Sequence, residues 1–144
     1  MNKHALLLSI RPKYAQMIFA GTKTVELRRV RPTIQAGDLV LVYVSSPTKE
    51  MQGAFKVGKT VSGAPSTIWK MFGKQTGVTR EEFDKYFTGK DQAHALLIEH
   101  AWKLPKPVRL ACLRNELRGF RPPQSFHYIR GTGFPTSFGI PLPN

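Results

Sequence analysis

Four ionisable side chains fall within one short stretch, Gly21-Thr22-Lys23-Thr24-Val25-Glu26-Leu27-Arg28-Arg29. Written as a strand over 23–29, the segment alternates. Val25 and Leu27 face one way, and Thr24, Glu26 and Arg28 the other. Residues two apart on one strand face stand about 7 Å from each other, near enough for opposite charges to bias one another. Lys23, Arg28 and Arg29 suit phosphate as a point charge and as forks. Glu26 suits three tasks: orienting an arginine, accepting from a base amino group, or acting as a general base. As a catalytic set, Lys23 and Glu26 would be the acid/base pair, and Arg28 would stabilise developing negative charge. The plainer alternative is a solvated hairpin strand carrying a salt bridge.

A second stretch, Arg121-Pro122-Pro123-Gln124-Ser125-Phe126-His127-Tyr128, offers an amide, a hydroxyl and aromatic rings behind two stiffening prolines. Gln124, Ser125 and Tyr128 fit contacts to a base edge and stacking on its face; the alternative is a rigid connector with Phe126 in the core. In a third stretch, Tyr43-Val44-Ser45-Ser46-Pro47, an apolar strand emerges into small polar residues. Ser45 there either rims a pocket or marks an ordinary strand exit. His94 and His100 lack a third ligand by spacing, so neither a metal nor another cofactor is expected. Cys112 is the single cysteine, which excludes an internal disulfide and a cysteine-based zinc site. Its neighbours Leu110, Ala111 and Leu113 predict a small core residue. No Walker loop, GxGxxG, GxSxG or HExxH is present, so nucleotide-hydrolase and serine-hydrolase chemistry drop out.

Charge narrows the partner. Twenty-two Lys and Arg stand against nine Asp and Glu, a net +13. Residues 1–31 carry seven basic and one acidic residue, 32–101 eight and seven, and 102–144 seven and one. The net values are therefore +6, +1 and +6. If the chain ends meet, they form one basic face suited to a polyanion such as nucleic acid. No apolar run approaches the roughly 20 residues of a membrane span, and no basic amphipathic helix points to a bilayer. The apolar start gives way to Arg11-Pro12-Lys13 rather than a cleavage site, which predicts a buried first strand and a cytoplasmic protein.

These residues need elements to hold them. The patterning predicts a strand over 5–10 and a helix from Pro12 that stops at Gly21. After the strand over 23–29, it predicts strands over 39–44, 52–61 and 95–104. Short helices are expected over 65–72, over 79–87 behind a Thr79/Glu82 capping box, and over 108–117. About five or six strands with short flanking helices make a small mixed α+β barrel domain over 1–130. Three Gly and three Pro follow in 131–144, a loose tail.

Ser9-Ile10-Arg11-Pro12-Lys13-Tyr14, then Ile18-Phe19-Ala20-Gly21 through Arg28, resembles the signature of the ASCH domain family, in which a strand and helix lead to G-x-K-S/T-x-E-x-R. Tyr43 to Pro47, Gly53 and Phe55 are similar to the family's next strands, and Pro122 to Phe126 to a C-terminal element of longer bacterial members. The resemblance covers about residues 5–129. It implies a PUA-like β-barrel with a cleft at Lys23, Glu26 and Arg28, with Ser9 and Lys13 beside them. It also implies RNA or other nucleic-acid binding, with ribonucleases among the family's members. Its small amidohydrolases use the motif lysine, a threonine three residues later and a distant glutamate. Glu26 stands in that threonine's place here, so this chemistry lacks its nucleophile. Three readings follow: a nucleic-acid-binding module, an enzyme on RNA or a modified nucleoside, and a regulator that binds a small ligand. Oligomeric state is left open.

Overall fold

The computed structural model describes residues 4–116 and 126–130, with His4, Glu116 and 126–130 as backbone alone. Six strands form one sheet in the order β2-β5-β4-β3-β1-β6, curled into a half-barrel. They are β1 (His4–Ile10), β2 (Val25–Arg28), β3 (Leu39–Val44), β4 (Glu50–Gly63), β5 (Ala93–Arg109) and β6 (Phe126–Arg130). β1 and β3 run parallel, and every other pair is antiparallel. The helices are α1 (Pro12–Ala20), α2 (Pro65–Phe72), α3 (Arg80–Tyr86) and α4 (Leu110–Glu116). This is the mixed α+β class expected from the sequence.

Two faces of the central strands are buried, which is why β1 and β3 read as unbroken apolar runs. Ala5, Leu7, Leu39, Leu41 and Tyr43 enter one core with Leu113 of α4. Leu6, Leu8, Ile10, Val40, Val42 and Val44 enter another beneath Ala15 and Ile18 of α1. A third core packs Val25, Leu27, Ala93 and Ala95 against Ile68 of α2 and Phe83 of α3. Register shifts between β4 and β5 bend both strands and help the sheet to curl.

Local signals place the helices. Pro12 stands at the start of α1, and Gly21 closes it with φ +83°. Thr79 and Glu82 form the expected reciprocal cap of α3. Several limits move. β2 begins at Val25 because the N–H groups of Thr22 and Lys23 both donate back to the Met17 carbonyl, at 3.0 and 3.1 Å; the helix end claims them before the ladder does. β4 and β5 outrun their expected spans, and β5 continues to Arg109, so α4 starts only at Leu110. Cys112 is exposed, not buried as expected. In α4 the three-residue spacing turns Leu110 and Leu113 to the core and leaves Cys112 on the outer side. The expected tail over 131–144 lies outside the described residues, as do Gln124 and Ser125.

Candidate functional site

The polar face of β2 is not presented to water. Lys23, Glu26 and Arg28 are 3%, 6% and 7% exposed, which corrects both the solvated-hairpin alternative and the openly displayed charge expected from alternation. Glu26 lies between two cations. Arg28 Nη1 donates to its Oε2 at 2.9 Å, and Lys23 Nζ lies 3.4 Å from its Oε1. The Lys23 ammonium also donates to the carbonyl of Thr76 and stands 5.4 Å from the centroid of the Tyr14 ring. The partners of Lys23 come from three segments: the first turn of α1, β2, and the loop before α3.

The network continues through Tyr14. Its hydroxyl donates to Glu82 Oε2 at 2.8 Å, which ties α1 to α3. Glu82 Oε1 accepts from the Thr79 backbone N–H at 2.8 Å, and Lys13 Nζ stands 3.8 Å from Oε2. These donors, the Thr79 N–H first and the Tyr14 hydroxyl next, hold the Glu82 carboxyl down to about 2. Burial, reinforced by the adjacent Glu82 carboxylate, pushes the Tyr14 hydroxyl up.

On the other side, the Tyr86 hydroxyl donates to the Leu27 carbonyl at 3.4 Å, and the Arg29 guanidinium stands 5.8 Å from the ring centroid. Burial raises the Tyr86 hydroxyl, with nearby Arg28 opposing it. A clamp results: a buried Lys-Glu-Arg triplet with an aromatic side chain on each flank.

The residues expected at the site divide. Lys13, Lys23, Glu26 and Arg28 join one connected set, and exposed Arg29 borders it. Ser9 and Ser45 are half-buried at the ends of β1 and β3, where Ser9 pairs with Tyr43 and the Ser45 N–H donates to the Ile10 carbonyl at 2.9 Å. Neither serine takes part in the hydrogen bonds and ion pairs that tie Lys23, Glu26 and Arg28 together. Tyr128 lies in β6 opposite Leu6, with its side chain outside the description. His94 bonds to Ser62, and no group able to hold a metal ion is found among the described residues. Tyr14, Thr76, Glu82 and Tyr86 escaped the sequence reading. Glu82 was visible only as a helix cap, and nothing local announced that its second oxygen takes Tyr14.

Comparison with known proteins agrees with the motif. The profile of the ASCH domain matches residues 8–102. A Zymomonas mobilis protein named "ASCH domain-containing ribonuclease" is 29% identical over 129 residues, which are 90% of this chain and 86% of that one. The crystal structure of ASCH from Zymomonas mobilis superposes with a TM-score of 0.85 at 28% identity, covering 90% of each chain. A Ureaplasma parvum protein named large ribosomal subunit protein uL22 is 36% identical over 126 residues, 87% of this chain but 39% of its own length. The chain thus spans well under half of that relative. It belongs to the ASCH domain family, and its half-barrel is the PUA-like fold.

Proposed function

We propose that this ASCH-domain chain binds RNA on the basic surface around the Lys23–Glu26–Arg28 clamp and cleaves it. One observation carries the reading: similarity over nearly the full length of both chains to a protein named a ribonuclease. The net charge of +13 supports it, since polyanion affinity scales with the phosphates neutralised. Within the reading, Lys23 and Glu26 are positioning residues rather than an acid/base pair. Both Glu26 oxygens are engaged by cations, and Lys23 is fastened to Glu26 and to a backbone carbonyl. A group that must exchange a proton with substrate needs reach to it. The clamp instead ties the connection after α1 to β2 and to the loop before α3, and RNA is bound by the exposed cations Lys13 and Arg29 at its rim.

The test uses purified protein with an end-labelled single-stranded RNA and a DNA of the same sequence. RNA binding that weakens steeply with salt, followed by fragments from RNA and not from DNA, is expected. Intact RNA at saturating protein would overturn cleavage. Binding indifferent to salt would overturn the RNA-binding reading itself.

A further inference from the structure

The sheet carries polar groups beyond the clamp. Arg28 pairs with His94, and His94 with Ser62, so these residues make a row across β2, β5 and β4. Directly paired residues on adjacent antiparallel strands project to one face. Ala93 and Ala95 turn to the opposite side, into the third core. The row therefore extends the face that holds Glu26 and Arg28. Arg31, just beyond β2, reaches back to it: its Nη1 donates to Ser62 Oγ at 2.7 Å. Ser62 Oγ in turn lies 2.7 Å from His94 Nδ1.

The direction of these bonds follows from what each group can do. A guanidinium only donates, so Arg31 occupies a lone pair of Ser62. In the tautomer that leaves His94 Nδ1 unprotonated, the single hydroxyl proton points to it; in the other, Nδ1–H donates to Ser62 Oγ. Burial, and the Arg31 cation after it, lower the His94 pKa and favour the neutral ring. With Nδ1 accepting, the ring proton resides on Nε2. What Arg31 keeps for a ligand is all donor, the N–H groups that Ser62 does not take. None of the ion pairs among the described residues includes Arg31, and Arg31 is exposed while Ser62 and His94 are half-buried. An uncompensated guanidinium with one N–H fixed to the sheet through Ser62 keeps its other N–H groups for a singly charged oxyanion with several acceptor oxygens.

We propose that Arg31, Ser62 and His94 form a phosphate subsite that grips one backbone phosphodiester of a bound RNA strand. Ser62 is the positioning residue that holds the Arg31 guanidinium to the sheet, and His94 holds Ser62. The proposal rests on the RNA-binding reading above. Arg28, in the same row, is committed to Glu26, so the row has a structural end and a binding end.

Fluorescence anisotropy with a labelled oligouridylate of about 20 nucleotides, titrated between about 50 and 300 mM salt, tests it. Arg31→Gln is expected to weaken binding about tenfold and to flatten the log–log salt slope by about 0.7, the value for one phosphate on a single strand. Ser62→Ala and His94→Gln, which keep the charge, should each weaken binding about threefold with smaller change in slope. Lys70→Gln, an exposed cation on α2, which packs against the opposite face of the sheet, should leave affinity within about twofold. Melting curves matching wild type confirm that each variant is folded. If wild type binds and Arg31→Gln keeps its affinity and slope, or Lys70→Gln loses as much, the subsite is wrong and RNA binding stands. If wild type does not bind the oligouridylate at all, both fall.

Discussion

A carboxylate with 6% exposure between two cations is held by its partners, and its removal is more informative than its presence. A buried pair adds little net stability over apolar packing, but breaking it strands a charge. Glu26→Gln leaves Lys23 and Arg28 facing each other across a neutral amide, and a loss of about 3 kcal/mol is expected from chemical denaturation. Replacing Lys23 and Glu26 together by Met and Leu should cost less than the sum of the single changes. A double-mutant cycle measures that coupling, and strict additivity would remove the clamp from the account. At the rim, Glu82 makes a different prediction. Its folded carboxyl is depressed to about 2 from an ordinary 4.5, so the unfolded chain binds more protons in that window. The stabilisation from Glu82 is therefore complete above about pH 4.5 and is lost as the pH falls toward 2. Melting temperatures of Glu82→Gln should vary less with pH over that range than those of wild type. Parallel profiles would show that Glu82 is not held as its hydrogen bonds indicate.

Elements were legible where one local signal decides, and illegible where register decides. The helix α1 announces itself by Pro12 and Gly21, and α3 by Thr79 and Glu82, because caps are satisfied within one turn. The strands β1 and β3 show in their apolar runs. The burial of Glu26 and Arg28 does not show. Period-two alternation separated the two faces of β2 correctly, but both are covered, one by the third core and one by the clamp. Nor could the Arg31–Ser62–His94 row be read, since it exists only through the pairing of β4 with β5, more than 30 positions apart in the chain. Cys112 was misplaced because an apolar neighbourhood in sequence says nothing about which way a short helix turns. Gly53 shows how closely β4 and β5 approach. A Cβ there would stand 2.2 Å from the Trp102 carbonyl oxygen and 2.7 Å from the Phe19 ring. Backbone cannot yield as a flexible side chain can, so Gly53→Ala should destabilise by about 2–3 kcal/mol, or more if the ladder must part. A variant as stable as wild type would mean that the strands part there at little cost.

At the scale of the molecule, the topology qualifies what the charge count suggested. The two ends of the chain carry nearly all the excess charge, +6 over 1–31 and +6 over 102–144 against +1 between them. β1 and β6 are neighbours, with Ala5 opposite Ile129 and Leu8 opposite Phe126. The charges themselves do not meet there: Ala5–Ile10 of β1 carry none, and Lys23, Arg28, Arg29 and Arg31 lie on or beside β2, at the opposite edge of the sheet from β6, so the excess is spread over the molecule and costs self-repulsion unless a counter-charge is recruited. The fold tolerates this because β1 is among its most buried strands, with Leu6, Leu7 and Leu8 at 0%, 1% and 0% exposure, so packing rather than charge fixes the junction. Such a molecule should respond to ions in two opposite ways. Screening relieves the repulsion within the fold, so its melting temperature should rise modestly from low to physiological salt. Counterions compete for the same surface, so RNA affinity should fall. With about five phosphates neutralised on a single strand, the association constant should drop about a hundredfold between 50 and 200 mM salt. Measuring both quantities on one preparation separates the causes. Affinity and stability falling together would implicate salt-induced loosening of the fold, whereas affinity falling as stability rises is the signature of phosphate contacts on an intact half-barrel.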